Sequence, residues 1–392
     1  MSKDNGKNPM PNNNGKNPMP NDYGKGLMFN AFPNLRGSRL SGANLRAPPS
    51  LITQPGAFSS TNSGQPFASS PQSFARPNIK KPDLEYLGYL LGLMTCPTRY
   101  SEFHSYLERI DTYETDHKKK MLFTIGSILT TNHFTFVDLA THQYGSQALK
   151  TLLKRNPSLI DRFIYEAVCI NFSVLMNSKY SHNLIVDVIR AVDKFKKESL
   201  YELTYINALF LAEQETGCIA LNNVFQEIKG KFRELIFGLV ALNADRLAFD
   251  PYGTHVVQNF VTLKNPRATR AIAVTLFGSF FRLAMERQGS YLVEKCLKSD
   301  QGREIVLIEF RKNDREWVRM ASHRYGNFVT QCALLVMKER GMKAMLREFV
   351  EKLRPHFGSM EIGHGKNTLK VIEEKIEDYL LELPYNLLGF MH

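Results

Sequence analysis

The chain is poor in the residues that build disulfide frameworks and zinc centres. It has only five cysteines in 392 residues, widely separated and without a Cys-x-x-Cys pair. This spacing argues against a zinc ribbon and against a disulfide framework. We therefore predict that Cys96, Cys169, Cys218, Cys296 and Cys332 are reduced, buried thiols.

Long apolar runs are also missing. No stretch approaches the roughly 18 consecutive apolar residues of a membrane span, and MSKDNGKNPM, at the start, lacks the apolar segment of a signal peptide. We expect a cytoplasmic protein, with visits to the nucleus left open. Sustained strand-like alternation is absent too, which favours an all-α fold.

Patterns that carry catalysis are equally scarce. Paired carboxylates, a nucleophile beside a base and a cluster of metal ligands do not stand out in the sequence. We predict that the protein is not an enzyme and needs no cofactor and no metal.

Residues 1–78 differ in composition from the rest. The segment NGKNPMPN occurs at 5–12 and again at 14–21, and the remainder is rich in Asn, Gly, Pro and Ser. Such a composition offers too little apolar surface to offset the entropy of ordering, so we predict a disordered tail over 1–78.

Positive charge is in excess. Lys and Arg number 50 against 38 Asp and Glu, giving a net charge of +12 and a pI near 9.3. This excess favours a polyanionic partner such as nucleic acid. The tail holds eight basic and two acidic residues and so carries half of the excess. The charge of the remaining chain is therefore only moderate support for a nucleic-acid partner.

A repeat dominates the chain after residue 78. Glycine or serine recurs at intervals of 36 to 39 residues in front of an apolar, helix-like run. We call these residues the anchors: Gly145, Ser181, Gly217, Gly253, Gly289, Gly326 and Gly365. Such a period predicts an α-solenoid over 79–392, with about six to eight helical repeats in a curved superhelix.

Each repeat reads as a helical hairpin with room for a short extra turn. THVVQNFVTL and SYLVEKCLKS, which follow two anchors, place apolar residues at helical spacing. PRATRAIAVTLFGSFFRLAM, in front of an anchor, is a second amphipathic helix opened by Pro266. A glycine anchor lets the chain turn sharply into the second helix without a Cβ clash. His142, His323 and His364 precede anchors without metal-ligand spacing, so helix capping is favoured over zinc binding.

Polar and aromatic residues recur at three positions after the anchor. The first and fifth lie one helical turn apart on one face, with the second beside them. A donor–acceptor pair one turn apart can address a base edge, and a ring can stack on a base face. In three units these positions hold Thr254, His255 and Gln258; Ser290, Tyr291 and Glu294; and Asn327, Phe328 and Gln331.

These units resemble the repeats of the Pumilio (PUF) family of RNA-binding proteins. The resemblance spans about residues 100 to 385 and is carried by YGTHVVQ, QGSYLVEKC and YGNFVTQ. It implies a crescent of three-helix repeats whose concave face binds single-stranded RNA antiparallel to the protein. HGKNTLKVIEEKIEDY, from His364, resembles the capping repeat of the family.

The resemblance also assigns bases. In the code of the family, the pair Ser290/Glu294 implies guanine and the pair Asn327/Gln331 implies uracil, while Tyr291 and Phe328 stack. Antiparallel binding then implies an RNA that begins 5′-UG. The Gly253 unit is expected to contact the third base through Thr254 and Gln258, with His255 stacking. Thr254 departs from the asparagine expected beside glutamine for uracil.

The three N-terminal units depart further from the family pattern. Their base-edge positions are Cys218 with Asn222, His182 with Val186, and Ser146 with Lys150, and their stacking positions are Ile219, Asn183 and Gln147. We therefore expect a well-defined 5′ end and a permissive 3′ half of the RNA site.

Two functions remain open at this point. The resemblance implies a monomeric regulator, without membrane attachment, that binds 3′ untranslated regions of mRNA to control translation and mRNA stability, with repressor or decay factors as possible partners. The alternative is a divergent scaffold of the same fold that binds structured or ribosomal RNA, or proteins, with little base selectivity.

Overall fold

The computed structural model describes residues 81–157, 160–263 and 265–381. Within those ranges all regular secondary structure is helical, as the sequence predicts. The tail predicted over 1–78 lies outside the described residues. In the described part of the chain, no helix combines the length and apolar character needed to cross a membrane.

The N-terminal part of the solenoid contains an irregular turn. A single turn of π-helix, Ile160–Ile164, leads into the sixth helix. The helices are α1 (Lys81–Thr95), α2 (Tyr100–Asp111), α3 (Thr115–Thr131), α4 (His133–Thr141), α5 (Gln143–Arg155), α6 (Tyr165–Ile170), α7 (Phe172–Met176) and α8 (His182–Ala191).

In the central part, a short helix of five or six residues lies between longer helices at two points. Its helices are α9 (Lys194–Ala212), α10 (Glu215–Glu227), α11 (Lys231–Leu242), α12 (Ala244–Phe249), α13 (Gly253–Thr262), α14 (Pro266–Thr275), α15 (Phe280–Ala284) and α16 (Arg287–Lys298).

The C-terminal part likewise places short helices between longer ones. Its helices are α17 (Asp300–Arg311), α18 (Asp314–Ala321), α19 (Gly326–Glu339), α20 (Lys343–Leu353), α21 (Phe357–Met360), α22 (Gly365–Val371) and α23 (Glu377–Leu381). The extra turn expected within each hairpin is thus a separate short helix, seen in α12, α15, α18 and α21.

Two layers of helices run along the solenoid. The anchor helices, α5, α8, α10, α13, α16, α19 and α22, pack each against the next. The outer helices α9, α11, α14 and α17 pack in the same way. Each unit therefore buries its apolar face against its neighbours, which is the organisation that the repeat predicts.

Aromatic side chains join neighbouring units in the core. Phe225 and Phe260, on successive anchor helices, have ring centroids 4.4 Å apart, and Phe237 of the outer layer meets Phe225 edge-on at 4.9 Å. The indole nitrogen of Trp317 donates a hydrogen bond to the carbonyl of Phe349 at 3.2 Å. Full burial of such a ring contributes roughly 1.5–3 kcal/mol.

The anchor glycines are required by close backbone approach. A Cβ on Gly289 would lie 2.5 Å from the carbonyl oxygen of Leu283, and one on Gly253 would lie 2.8 Å from that of Leu247. Both distances are shorter than a non-bonded contact. None of the anchors has a positive φ, so the need is for space and not for a left-handed conformation.

Ser181 shows how a unit manages without glycine. Its hydroxyl donates a hydrogen bond of 2.7 Å to the carbonyl of Leu175, six residues earlier. Leu283 stands six residues before Gly289 in the same way. The serine hydroxyl therefore bonds to the carbonyl six residues before the anchor. In the glycine units, the equivalent carbonyl lies too close for a Cβ.

The cysteines only partly follow the prediction. Cys218, Cys296 and Cys332 are buried, and burial raises the pKa of both the Cys296 and Cys332 thiols to about 12. Cys96 and Cys169 are partly exposed, so the expectation of burial was wrong for these two. All five are free thiols.

Candidate nucleic-acid interface

One row of exposed side chains follows the anchor helices. The second residue after the anchor is exposed in six successive units, although the residues on either side of it along the helix are buried. About half of the surface of Tyr291 (51%), Phe328 (49%) and Ile219 (51%) is accessible. The row consists of Gln147, Asn183, Ile219, His255, Tyr291 and Phe328.

The first residue after the anchor is buried in the same six units. Ser146, His182, Cys218, Thr254, Ser290 and Asn327 are each less than one tenth exposed. The Ser290 hydroxyl donates to the carbonyl of Arg287 at 3.0 Å, and that of Ser146 donates to the carbonyl of Tyr180 at 2.8 Å. In each unit, a buried first-position side chain therefore lies next to an exposed second-position side chain.

The Gly326 unit joins its first and fifth residues directly. Gln331 Nε2 donates to Asn327 Oδ1 at 2.9 Å, and Asn327 Nδ2 donates to the carbonyls of His323 at 2.8 Å and Arg324 at 3.0 Å. The two amides are one turn apart, as helical spacing predicts. Asn327 is fully buried, and its Oδ1 also accepts from Asn367 Nδ2 at 3.5 Å, so a base can reach it only when the side chains around it move.

The Gly289 unit presents a carboxylate. Glu294 is half-buried and pairs with the Lys298 ammonium at 3.3 Å, one turn further along the helix. Such a pair at a surface is worth about 0–1 kcal/mol. A carboxylate is an acceptor only. Glu294 can therefore exchange this lysine for the N–H groups of a base.

In the Gly253 unit, the fifth residue is buried and hydrogen-bonded within the protein. Gln258 Nε2 donates to Thr254 Oγ1 at 3.3 Å and to the carbonyl of Gln288, in the next unit, at 3.1 Å. Gln258 is only 6% exposed. Both N–H groups of this amide thus have partners within the protein.

In two of the N-terminal units, the fifth residue after the anchor contacts the next unit. Asn222 Oδ1 accepts from Asn259 Nδ2 at 2.9 Å, and the Lys150 ammonium lies 4.0 Å from the carboxylate of Asp187. Val186, the fifth residue of the Ser181 unit, is buried and has no polar group.

Sequence reasoning missed Asp187 and Asn259. Each stands one place beyond the fifth position of its own unit and contacts the preceding unit. Comparing residues 37 positions apart in the sequence identifies both pairs, Lys150 with Asp187 and Asn222 with Asn259.

Two of the histidines before anchors cap helices. His142 Nδ1 accepts from the backbone N–H of Gly145 at 3.3 Å, and His323 Nδ1 accepts from that of Tyr325 at 3.3 Å. Burial lowers the pKa of His323, and nearby cationic side chains lower it further. The His364 side chain makes no such capping bond, so the capping prediction was wrong there. The described residues contain no group of His, Cys, Asp and Glu that could hold a metal ion.

Known proteins share this architecture. The model of the Pumilio-family RNA binding repeat matches residues 136–158, 243–271, 279–308 and 316–340. "Putative pumilio homolog 21" of Arabidopsis thaliana is 58% identical over 359 residues, which cover 90% of this chain and 69% of that protein. This chain belongs to the Pumilio family. "Pumilio homolog 18" of the same plant is 31% identical, with 72% of this chain and 85% of that protein covered.

Solved structures agree with the Pumilio fold. One titled "Puf4 RNA binding domain bound to HO endonuclease RNA 3' UTR recognition sequence" aligns with a TM-score of 0.62 at 18% identity. It covers 74% of this chain and 89% of the Puf4 chain. "Crystal Structure of PUF-8 in Complex with PBE-RNA" aligns with a TM-score of 0.56 at 14% identity, covering 76% and 95% of the two chains. The family-model matches leave out the anchors Ser181, Gly217 and Gly365.

Proposed function

We propose that this protein binds single-stranded RNA selectively, at sites in mRNA 3′ untranslated regions that begin 5′-UG. The observation that carries the proposal is the row of exposed second-position side chains beside a polar pair in the Gly289 and Gly326 units. Tyr291 and Phe328 in this row are aromatic and half exposed. Stacking of one base on such a ring contributes about 1–3 kcal/mol.

Base selectivity is assigned to the polar pairs. Glu294 offers acceptors to the N–H groups of guanine, and the Asn327/Gln331 pair offers amide donors and acceptors to uracil. We place uracil at the Gly326 unit and guanine at the Gly289 unit, since the RNA is proposed to run antiparallel to the protein. Binding in the cytoplasm would give this protein control of translation and mRNA stability, through repressor or decay factors as partners.

A competition experiment with the full-length protein tests this proposal. A labelled RNA containing 5′-UGU is displaced by unlabelled RNAs that differ at one base each. Each wrong base at the first or second position should weaken competition about 5- to 150-fold, corresponding to about 1–3 kcal/mol. Equal competition by all variants would contradict base selectivity.

The second candidate is an RNA- or protein-binding scaffold with little base selectivity. It is favoured by the N-terminal units, where Val186 is apolar and the side chains of Lys150 and Asn222 already contact the next unit. In the competition experiment, this candidate predicts equal binding of structured RNA and of RNA without UG. Base substitutions opposite these N-terminal units should matter little under either candidate.

A further inference from the structure

Contacts between neighbouring anchor helices follow one register. The fifth residue after one anchor meets the sixth residue after the next anchor. Lys150 and Asp187 obey this rule at 4.0 Å, and Asn222 and Asn259 obey it at 2.9 Å. Successive anchor helices pack side by side, and the two pairs share one offset along these helices.

At the C-terminal end the same register pairs Glu294 with Cys332. Cys332 is the sixth residue after Gly326, and Glu294 is the fifth after Gly289. The pKa of Cys332 is raised mainly by burial, with the nearby charges of Lys298 and Glu294 also acting on it. The influence of the Glu294 charge on this pKa agrees with the neighbouring positions that the rule gives the two residues.

This register places Lys295 beside Gln258. Lys295 is the sixth residue after Gly289, and Gln258 is the fifth after Gly253. Their helices, α16 and α13, pack against each other. Lys295 thus lies between the unit assigned to the second base and the unit assigned to the third.

Lys295 places a positive charge at the sixth position after its anchor, in a partly buried environment. Its side chain is partly buried, and within the described residues no carboxylate forms an ion pair with it, whereas Lys298 on the same helix pairs with Glu294. Burial lowers the pKa of Lys295, and the charge of Lys298 adds to this effect. Keeping a partly buried ammonium without a carboxylate is unfavourable, so an acceptor from a ligand would stabilise it.

In the Gly253 unit, the amide N–H groups of Gln258 already have partners within the protein. The side-chain amide of Gln258 already donates to Thr254 and to the carbonyl of Gln288. Thr254 is 1% exposed. In the Gly326 unit, by contrast, the structure shows a partner for only one of the two N–H groups of Gln331 among the described residues.

We propose that Lys295 is a specificity-determining residue, whose ammonium donates to an acceptor on the edge of the third base. This inference rests on the proposed function. An ammonium has three donors and no acceptor. Uracil presents two carbonyl oxygens on its pairing edge, whereas adenine presents an amino group and one ring nitrogen. Lys295 should therefore favour uracil over adenine at the third position.

The test compares two variants of the full-length protein. Lys295→Met keeps the length and apolar character of the side chain and removes its charge. Lys312→Met removes the same charge from an exposed position that follows the outer helix α17. Affinities are measured for UGU and UGA RNAs, and for a UAU RNA that reports on the second base.

The expected result is a loss of about tenfold in the preference of Lys295→Met for UGU over UGA. Its preference for UGU over UAU should remain, and this retained preference also shows that α16 is folded. Lys312→Met should behave like the unchanged protein. A second variant, Lys295→Gln, should show an intermediate preference because its amide can still donate.

Three outcomes would overturn the inference. An unchanged preference at the third base would show that Lys295 does not contact that base. Equal weakening of all three RNAs by Lys295→Met would assign the ammonium to a phosphate. If the unchanged protein prefers no base at any position, the proposed function fails and the inference fails with it.

Discussion

At the scale of single residues, selectivity depends on which atoms can accept and which can donate. Glu294 carries two acceptor oxygens and no donor. Its ion pair with Lys298 is partly exposed and is easily exchanged. Ser290, one turn earlier, holds its hydroxyl against the carbonyl of Arg287. We therefore expect the carboxylate to be the main determinant at the second base.

Replacing Glu294 with Gln should change the preferred second base from guanine to adenine. An amide supplies one acceptor and two donors, which match the adenine edge better than a carboxylate does. We expect guanine preference to fall about tenfold, within the usual 1–3 kcal/mol for one base contact. Competition with RNAs that carry G or A at the second base measures this change.

Glu304→Gln is the matched control for this substitution. Glu304 is exposed on the outer helix α17, and its removal changes the net charge by the same amount. It should leave the second-base preference unchanged. If Glu294→Gln also leaves it unchanged, the assignment of the Gly289 unit to the second base is wrong.

At the scale of helices, the anchors set how closely the short helix and the anchor helix approach. Gly289 lies in α16 within a backbone contact of α15. Gly238 offers a comparison, since it also lies in a helix, α11, but has open space where a Cβ would stand.

Gly289→Ala should destabilise the fold. The added Cβ would stand 2.5 Å from the carbonyl oxygen of Leu283, and such overpacking typically costs about 1–3 kcal/mol. Gly238→Ala should be neutral or stabilise the protein by up to about 1 kcal/mol, because alanine favours helices. Thermal melts of both variants measure the difference, and equal melting temperatures would contradict the role given to the anchor.

The sequence predicts these elements well because their cause is local. Helical periodicity and the anchor spacing are properties of the chain itself, so the anchor helices could be placed from the sequence alone. Ser181 could be recognised by its position in the repeat, but not the hydrogen bond that it makes to Leu175. That bond depends on how two helices meet.

The site itself was less predictable. Spacing correctly brings Asn327 and Gln331 together, since they share one helix. It does not reveal that Asn327 is buried or that Gln258 is bound to Gln288, because both features depend on the neighbouring unit. Whether these residues contact bases stays a prediction.

At the scale of the whole molecule, the distribution of charge governs how salt affects binding. Half of the net charge of +12 belongs to residues 1–78. Many cations of the repeats are paired, as in Arg190 with Glu227 at 2.6 Å and Arg311 with Glu348 at 2.8 Å. The repeats therefore have limited capacity to neutralise phosphates.

We expect a mild salt dependence for binding of a UG-containing RNA. The slope of log affinity against log salt is about −0.7 for each phosphate neutralised on a single strand. A slope shallower than about −3, equivalent to roughly four phosphates, is predicted. Titrations between low and moderate salt measure it, and a much steeper slope would indicate binding dominated by the backbone of the RNA.

The pairing of residues 37 places apart has a consequence for protein engineering. Lys150 faces Asp187, and Asn222 faces Asn259, so each junction has its own chemical complement. Exchanging the Ser181 and Gly217 units would set Lys150 against Asn223 and separate Asp187 from Lys150, leaving it only the cation of Arg190 in its own helix. The N-terminal units are therefore not interchangeable modules, and a designer who shuffles them must transplant both sides of each junction.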